Sequence, residues 1–176
     1  MLVLGLAGPA GAGKDYVCDQ LLAVADHRGL GAHRVAFADE LRYEIEDLMG
    51  GPCPGLWSKP YPEGLRWILQ RYGTEYRRDR DPDHWVNRAI ATIGTLDGLV
   101  VVTDVRFANE AAAIHHLGGT VARVETPDHI RETRLGHLPP PHTSELIDFP
   151  TDHTINNTHH PTYPHQLRSW LGPYAP

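Results

Sequence analysis

The chain has 176 residues, enough for one well-buried domain and too few for two of ordinary size. Its net charge of -6 argues against a broad surface for a nucleic-acid polymer, which usually carries a basic face. Only two cysteines, Cys18 and Cys53, exclude a disulfide framework and fit a reducing compartment, and no apolar stretch reaches the roughly 20 residues of a membrane span, so a cytoplasmic protein is expected.

In chain order, the apolar run Leu2 to Ala7 reads as a buried strand and opens directly into Gly8-Pro9-Ala10-Gly11-Ala12-Gly13-Lys14-Asp15. Glycines let a loop curl until several backbone N–H groups converge, and the helix that follows adds the positive end of its dipole, so an anion belongs there. With 17 glycines and 2 lysines in the chain, Gly-x4-Gly-Lys arises by chance with a probability of roughly 2%, and the strand and helix on either side lower it further. Lys14 is placed to reach the outer phosphates of a nucleoside triphosphate. Where the usual loop continues with Ser or Thr to hold magnesium, this chain has Asp15 and Tyr16; the Asp15 carboxylate can serve a hard cation directly or through water, or simply cap the helix.

That helix is predicted from Lys14 to about Arg28, stopped by Gly29 and Gly31. A short strand, His33 to Phe37, precedes a helix from Ala38 to Met49, with Asp39 placed to cap it and Arg42 close by, either solvated or at the site. After the Gly50 to Gly55 break, residues from Glu63 to Leu96 read as helical, interrupted near Gly73 and at Arg80 to Asp83. Tyr72 to Arg78 and Asp83-His84-Trp85 mix aromatics, arginines and acids in a way that suits a base and its phosphate. Gly98 to Thr103 is a continuous apolar strand of the parallel type, delivering Asp104 and Arg106 at its end. Asp104 can hold magnesium through water or cap the helix from Phe107 to Leu117; Arg106 can clamp a phosphate or pair with Glu110. Thr120 to Glu125 is a fourth strand. Thr126 to Pro150 is a polar, proline-rich flap whose Arg131 and Arg134 can close over a triphosphate. Asp152 to Asn156 is a short last strand, and a terminal helix is expected from Tyr163 to Leu171. The twelve histidines show no zinc spacing.

Strands alternating with helices imply a parallel sheet covered on both faces, with ligands at the carboxyl ends of the strands. That rule gathers the glycine-rich loop, Ala38 to Arg42, Asp104 to Arg106, Thr126 onward and Asn156 onward along one rim.

Taken together, Gly-x4-Gly-Lys-Asp, Phe37-Ala38-Asp39-Glu40-Leu41-Arg42, Gly73-Thr74-Glu75 with Arg77 or Arg78 and then Trp85, Thr103 to Glu110, and His142-x-Ser144-Glu145 resemble the bacteriophage deoxynucleoside monophosphate kinases. The resemblance implies an α/β, three-layer P-loop NTPase fold with a five-stranded parallel sheet in the order 2-3-1-4-5, a helical insertion for the monophosphate at about 38–97 and a lid at about 126–150. It implies transfer of the ATP γ-phosphoryl group to a deoxynucleoside monophosphate with magnesium, in the cytoplasm of a host if phage-encoded. The expected ATP side is Gly8, Ala10, Gly11, Ala12, Gly13, Lys14, Asp15, Tyr16 and Asn156; the acceptor side is Asp39, Arg42, Arg77, Trp85, Asp104, Arg106 and Glu110. Lys14, Arg106, Arg131 and Arg134 are the expected catalytic cations, with Asp15 and Asp104 organising magnesium. The partners implied are small nucleotides, and the long helical middle offers a surface for a homodimer. The alternatives are a kinase of another small metabolite, such as dephospho-coenzyme A, and a noncatalytic nucleotide-binding protein.

Overall fold

β1 (Leu2–Ala7) is apolar on both faces, which forces it into the middle of a sheet. In the computed structural model, which describes residues 1–58, 61, 64–138 and 146–158, β1 pairs in parallel with β3 (Leu99–Val105) on one side and β4 (Thr120–Glu125) on the other. β2 (Ala32–Val35) and β5 (His153–Asn156) complete a five-stranded parallel sheet in the expected order, 2-3-1-4-5.

Alternation along the strands divides the interior in two. Val3, Ala7, Val100, Val102 and Val121 face one core, and Leu4, Leu6, Val101, Ala122 and Ile155 face the other. α1 (Lys14–His27) covers the second core with Val17, Cys18 and Leu21. α2 (Phe37–Met49), α4 (His84–Ile93) and α5 (Ala108–His116) cover the first with Phe37, Leu41, Trp85, Ala89 and Ile114. Each fully buried Leu, Val or Ile contributes about 1.5–3 kcal/mol. Gly5 permits the close approach of α5, since a Cβ there would lie 2.6 Å from Ile114 Cδ1. Cys18 is buried and Cys53 half-buried, and neither is in a disulfide.

Four local expectations change. The second strand ends at Val35, and Phe37 already belongs to α2. Asp39 sits in the first turn of that helix and not at its cap; its Oδ2 accepts the Ala36 N–H at 3.1 Å. Gly73 does not interrupt the middle of the chain, because α3 (Leu65–Gln70) runs on into a π-helix, Arg71–Arg78. A Cβ on Gly73 would lie 2.8 Å from Leu41 Cδ2, so the glycine serves packing against α2. Finally, the start of the supposed flap is α6 (Asp128–Leu135), a helix with Arg131 and Arg134 three residues apart and one turn of backbone between them. His142 to Glu145 and Tyr163 to Leu171 lie outside the described residues.

Candidate active site

The loop after β1 is shaped by glycines and gripped from behind. Gly13 adopts φ +84° immediately before α1, and a Cβ there would fall far inside contact distance of Asn157 Nδ2. Asn157, fully buried, donates from Nδ2 to Ala12 O at 2.8 Å. The Thr126 hydroxyl lies 2.9 Å from Ala12 O and 3.1 Å from Asn157 O. Among the described residues Asn157 Oδ1 is the buried side-chain atom without a hydrogen-bond partner. Anchored in this way, the loop presents the N-terminus of α1 to the cleft, where the helix dipole favours an anion. The Lys14 ammonium reaches back over the loop to Gly8 O at 2.8 Å and Pro9 O at 3.1 Å.

α6 clasps the outer side of the same loop. Arg131 donates from Nε to Ala10 O at 2.9 Å and from Nη1 to Asp128 at 2.7 Å, and Arg134 donates from Nη1 to Gly11 O at 2.9 Å. The two arginines expected on a flap that closes over a triphosphate are docked on the loop backbone, with Arg134 at the cleft wall.

A cleft of about 820 Å³ opens between this loop and the helices of the middle segment. Of the expected residues, Ala10, Gly11, Gly13, Lys14, Asp15, Arg42, Trp85, Asp104, Arg106, Glu110 and Arg134 line it. Gly8, Ala12, Tyr16, Asp39, Arg77, Arg131 and Asn156 are not in its lining. Asn156 is exposed at the end of β5 while its neighbour Asn157 turns inward to the loop. Arg77 faces Glu44, with its Nε 3.1 Å from Tyr72 Oη. There Glu44 also meets Tyr72 Oη at 2.6 Å and His84 at 2.8 Å. Burial raises the Glu44 carboxyl, but the hydrogen bonds from Tyr72, His84 and Arg77 outweigh it and hold the group below its ordinary value.

The adjoining arginine, Arg78, turns the other way, into the cleft. Its guanidinium pairs with Glu110 and lies 4.1 Å from the centre of the Phe107 ring. Glu110 is almost completely buried and accepts the N–H groups of Arg106 at 2.7 Å and Phe107 at 3.1 Å, capping α5. Burial pushes its carboxyl up to about 7, against the opposing pull of Arg78. Arg106 thus offers Glu110 its backbone, and the ion pair with Glu110 that is the alternative to a phosphate clamp by Arg106 is made by Arg78. Asp104 does not cap α5. Its Oδ1 accepts Phe37 N–H at 2.8 Å and its Oδ2 accepts Ala38 N–H at 2.9 Å, fastening the N-terminus of α2 to β3.

Arg42 donates from all three of its nitrogens, to Asp39 Oδ1 at 2.6 Å, Tyr61 Oη at 2.7 Å and Leu56 O at 2.9 Å. Burial raises the Asp39 carboxyl above its ordinary value, and Arg42 opposes that rise. Arg34, absent from the sequence expectations, stands 3.8 Å from Asp15 and 4.0 Å from Asp39 and also lines the cleft. Asn157 was within reach of the sequence, since Ile155 is the buried residue of β5 and the side-chain period of two places 157 on the same face. Thr126 begins a segment that the strand-end rule places on the rim, Arg78 is the alternative to Arg77 in the resemblance, and Arg34 carries no such signal.

No helix among the described residues is long and apolar enough to cross a membrane. No protein-family model and no curated protein matches the chain. Among solved structures it is similar to a shikimate kinase from Acinetobacter baumannii in complex with shikimate, at 18% identity and TM-score 0.53, over 98% of this chain and 92% of that one. A shikimate kinase from Bacteroides thetaiotaomicron is similar at 12% identity and TM-score 0.55, over 98% and 97% of the two chains. An APS kinase from Mycobacterium tuberculosis in complex with AMPPNP and APS is similar at 15% identity and TM-score 0.53, over 97% and 95%. With the glycine-rich loop at the end of the central strand and the order 2-3-1-4-5, the chain has the α/β fold of the P-loop kinases.

Proposed function

We propose that this protein transfers the γ-phosphoryl group of ATP to a deoxynucleoside monophosphate, giving the diphosphate and ADP. The observation that carries the reading is the two-sided cleft. One wall is the Lys14 loop under α6, and the other is the helical middle, with Arg78 and Arg106 both in the lining. Phosphoryl transfer needs positioning and cations around the migrating charge more than covalent help from the protein. The loop N–H groups and Lys14 hold the donor phosphates. Arg106 and Arg78 hold the acceptor phosphate, with Arg42 and Asp39 bracing the wall behind it. Arg131 and Arg134 hold the loop in shape and keep α6 over it, excluding water.

Magnesium fits this cleft, though no group of three or more metal-ligating side chains occurs among the described residues. Magnesium retains several waters and needs only one or two carboxylates beside the phosphates. Asp15 and Asp104 both line the cleft, and each Asp104 oxygen has lone-pair capacity beyond its one N–H bond. The ion would supply charge neutralisation for the β- and γ-phosphates.

The test is ADP release from ATP with a panel of deoxynucleoside and ribonucleoside monophosphates, shikimate and dephospho-coenzyme A. Acceptor-dependent turnover with at least one deoxynucleoside monophosphate, lost in Lys14→Ala with the fold retained, is expected. Turnover with only a non-nucleotide acceptor, or ATP binding without acceptor-dependent ADP release, would sink the reading.

A further inference from the structure

Arg66, Gln70, Thr74 and Arg78 follow one another at intervals of four residues, and all of them line the cleft. In a regular α-helix a side chain moves about 100° per residue, so every step of four carries it about 40° further round the axis. A file of that length would drift off its face. The chain avoids the drift by changing helix type: α3 ends at Gln70, and Arg71–Arg78 is bonded as a π-helix. Its i→i+5 bonds put more residues into each turn, which brings residues four apart nearly into line. Such segments are rare and recur at functional sites.

The file carries charge at its ends and neutral hydrogen-bonding groups between them. Gln70 and Thr74 are half-buried, and their side chains make no hydrogen bond with any described residue. Beside them lies an apolar floor. Gly73 packs on Leu41, and its carbonyl accepts the Trp85 indole N–H at 2.9 Å, which turns the buried indole toward the cleft. A carboxamide and a hydroxyl with unspent donors and acceptors, set over an apolar surface, suit a planar heterocycle with a hydrogen-bonding edge better than an aliphatic polyol.

We infer that Gln70 and Thr74 select the base of the acceptor, and that the π-helix exists to hold them in line along the cleft. This rests on the nucleotide-kinase reading above. A carboxamide matches a base edge that offers a donor beside an acceptor, whereas a carboxylate of the same shape matches only donors.

The experiment measures kcat/KM for dAMP, dGMP, dCMP and dTMP, and KM for ATP, in the wild type, Gln70→Glu and Thr74→Val, with Tm recorded for each. The expected result is a change of about ten-fold or more in the ratio of kcat/KM between two bases in Gln70→Glu, with KM for ATP within about two-fold. If Gln70→Glu fails to fold, Thr74→Val carries the test, with a smaller change of ratio expected. An equal loss with all four acceptors in the folded variants overturns the inference and leaves the nucleotide-kinase reading standing. Wild-type turnover with no nucleoside monophosphate, alongside turnover with another acceptor, overturns both.

Discussion

Asn157 donates its side-chain N–H to Ala12 O at 2.8 Å across 145 residues of sequence, fastening the last strand of the sheet to the loop that follows the first. A buried amide bond of this kind is worth about 0.5–1.5 kcal/mol, the Thr126 hydroxyl remaining 2.9 Å from the same carbonyl when it is removed. Asn157→Ala is expected to lower Tm and raise KM for ATP by about ten-fold, because the loop loses its rear support. Asn156→Ala, at the exposed neighbour, should leave both unchanged. Thermal melts and ATP titrations of the two variants check the contrast.

Gly13 and Gly29 both adopt positive φ, +84° and +70°, but only Gly13 faces another group. Gly29→Ala meets open space and should cost only the left-handed backbone penalty of about 1–2 kcal/mol. Gly13→Ala adds a clash with Asn157 and should cost well over that, with loss of ATP binding. Denaturant unfolding of the two variants, with nucleotide binding by calorimetry, separates the backbone term from the steric one.

Glu110 makes stability depend on pH in the direction opposite to that of an ordinary ion-paired carboxylate. Its folded carboxyl titrates at about 7 against 4.5 for the ordinary group, so the folded state holds the extra proton between those values. Stability is therefore fully supported below about 4.5 and falls as pH rises to about 7, by up to about 3 kcal/mol. In Tm measured from pH 5 to 7.5, wild type should show this fall relative to Glu110→Gln, which cannot lose a proton. Parallel profiles for the two proteins would exclude it.

Arg77 and Arg78 are adjacent yet serve different partners. Arg78→Ala should raise KM for the acceptor by about ten-fold or more, since the cation paired with Glu110 at the cleft is lost. Arg77→Ala breaks the pairing with Glu44 and Tyr72, outside the cleft lining, so it should lower Tm and leave the acceptor KM unchanged. Steady-state kinetics with melts on both variants decide this.

The strands and the loop were legible because their signals are local. A continuous apolar run such as Leu99 to Val102 has no stable place except inside a parallel sheet, and Gly-x4-Gly-Lys at a strand end has one geometry that satisfies its backbone. Arg131 and Arg134 read in the sequence as part of a polar, proline-rich flap and not as a helix docked on the loop, because a short helix such as Asp128–Leu135 has no buried face to reveal its period.

Hydrophobic pattern, glycine and chain topology made legible a parallel sheet and the rim on which Asp104 and Arg106 lie, and led to the expectation of an anion site at Lys14; the strand order, which the sheet bears out, followed from the family resemblance. Only the tertiary structure decided which of two adjacent residues faces the site. The pitch of the π-helix turns Arg78 inward and Arg77 out, and the buried phase of β5 chooses Asn157 over Asn156. Asp104 belongs to the same class: its carboxylate fastens the first turn of α2, 66 and 67 residues earlier in the chain, a bond that no sequence spacing announces. Such choices depend on helix pitch, strand phase and the meeting of distant backbone donors with a half-buried acceptor, and these exist only once the elements have packed.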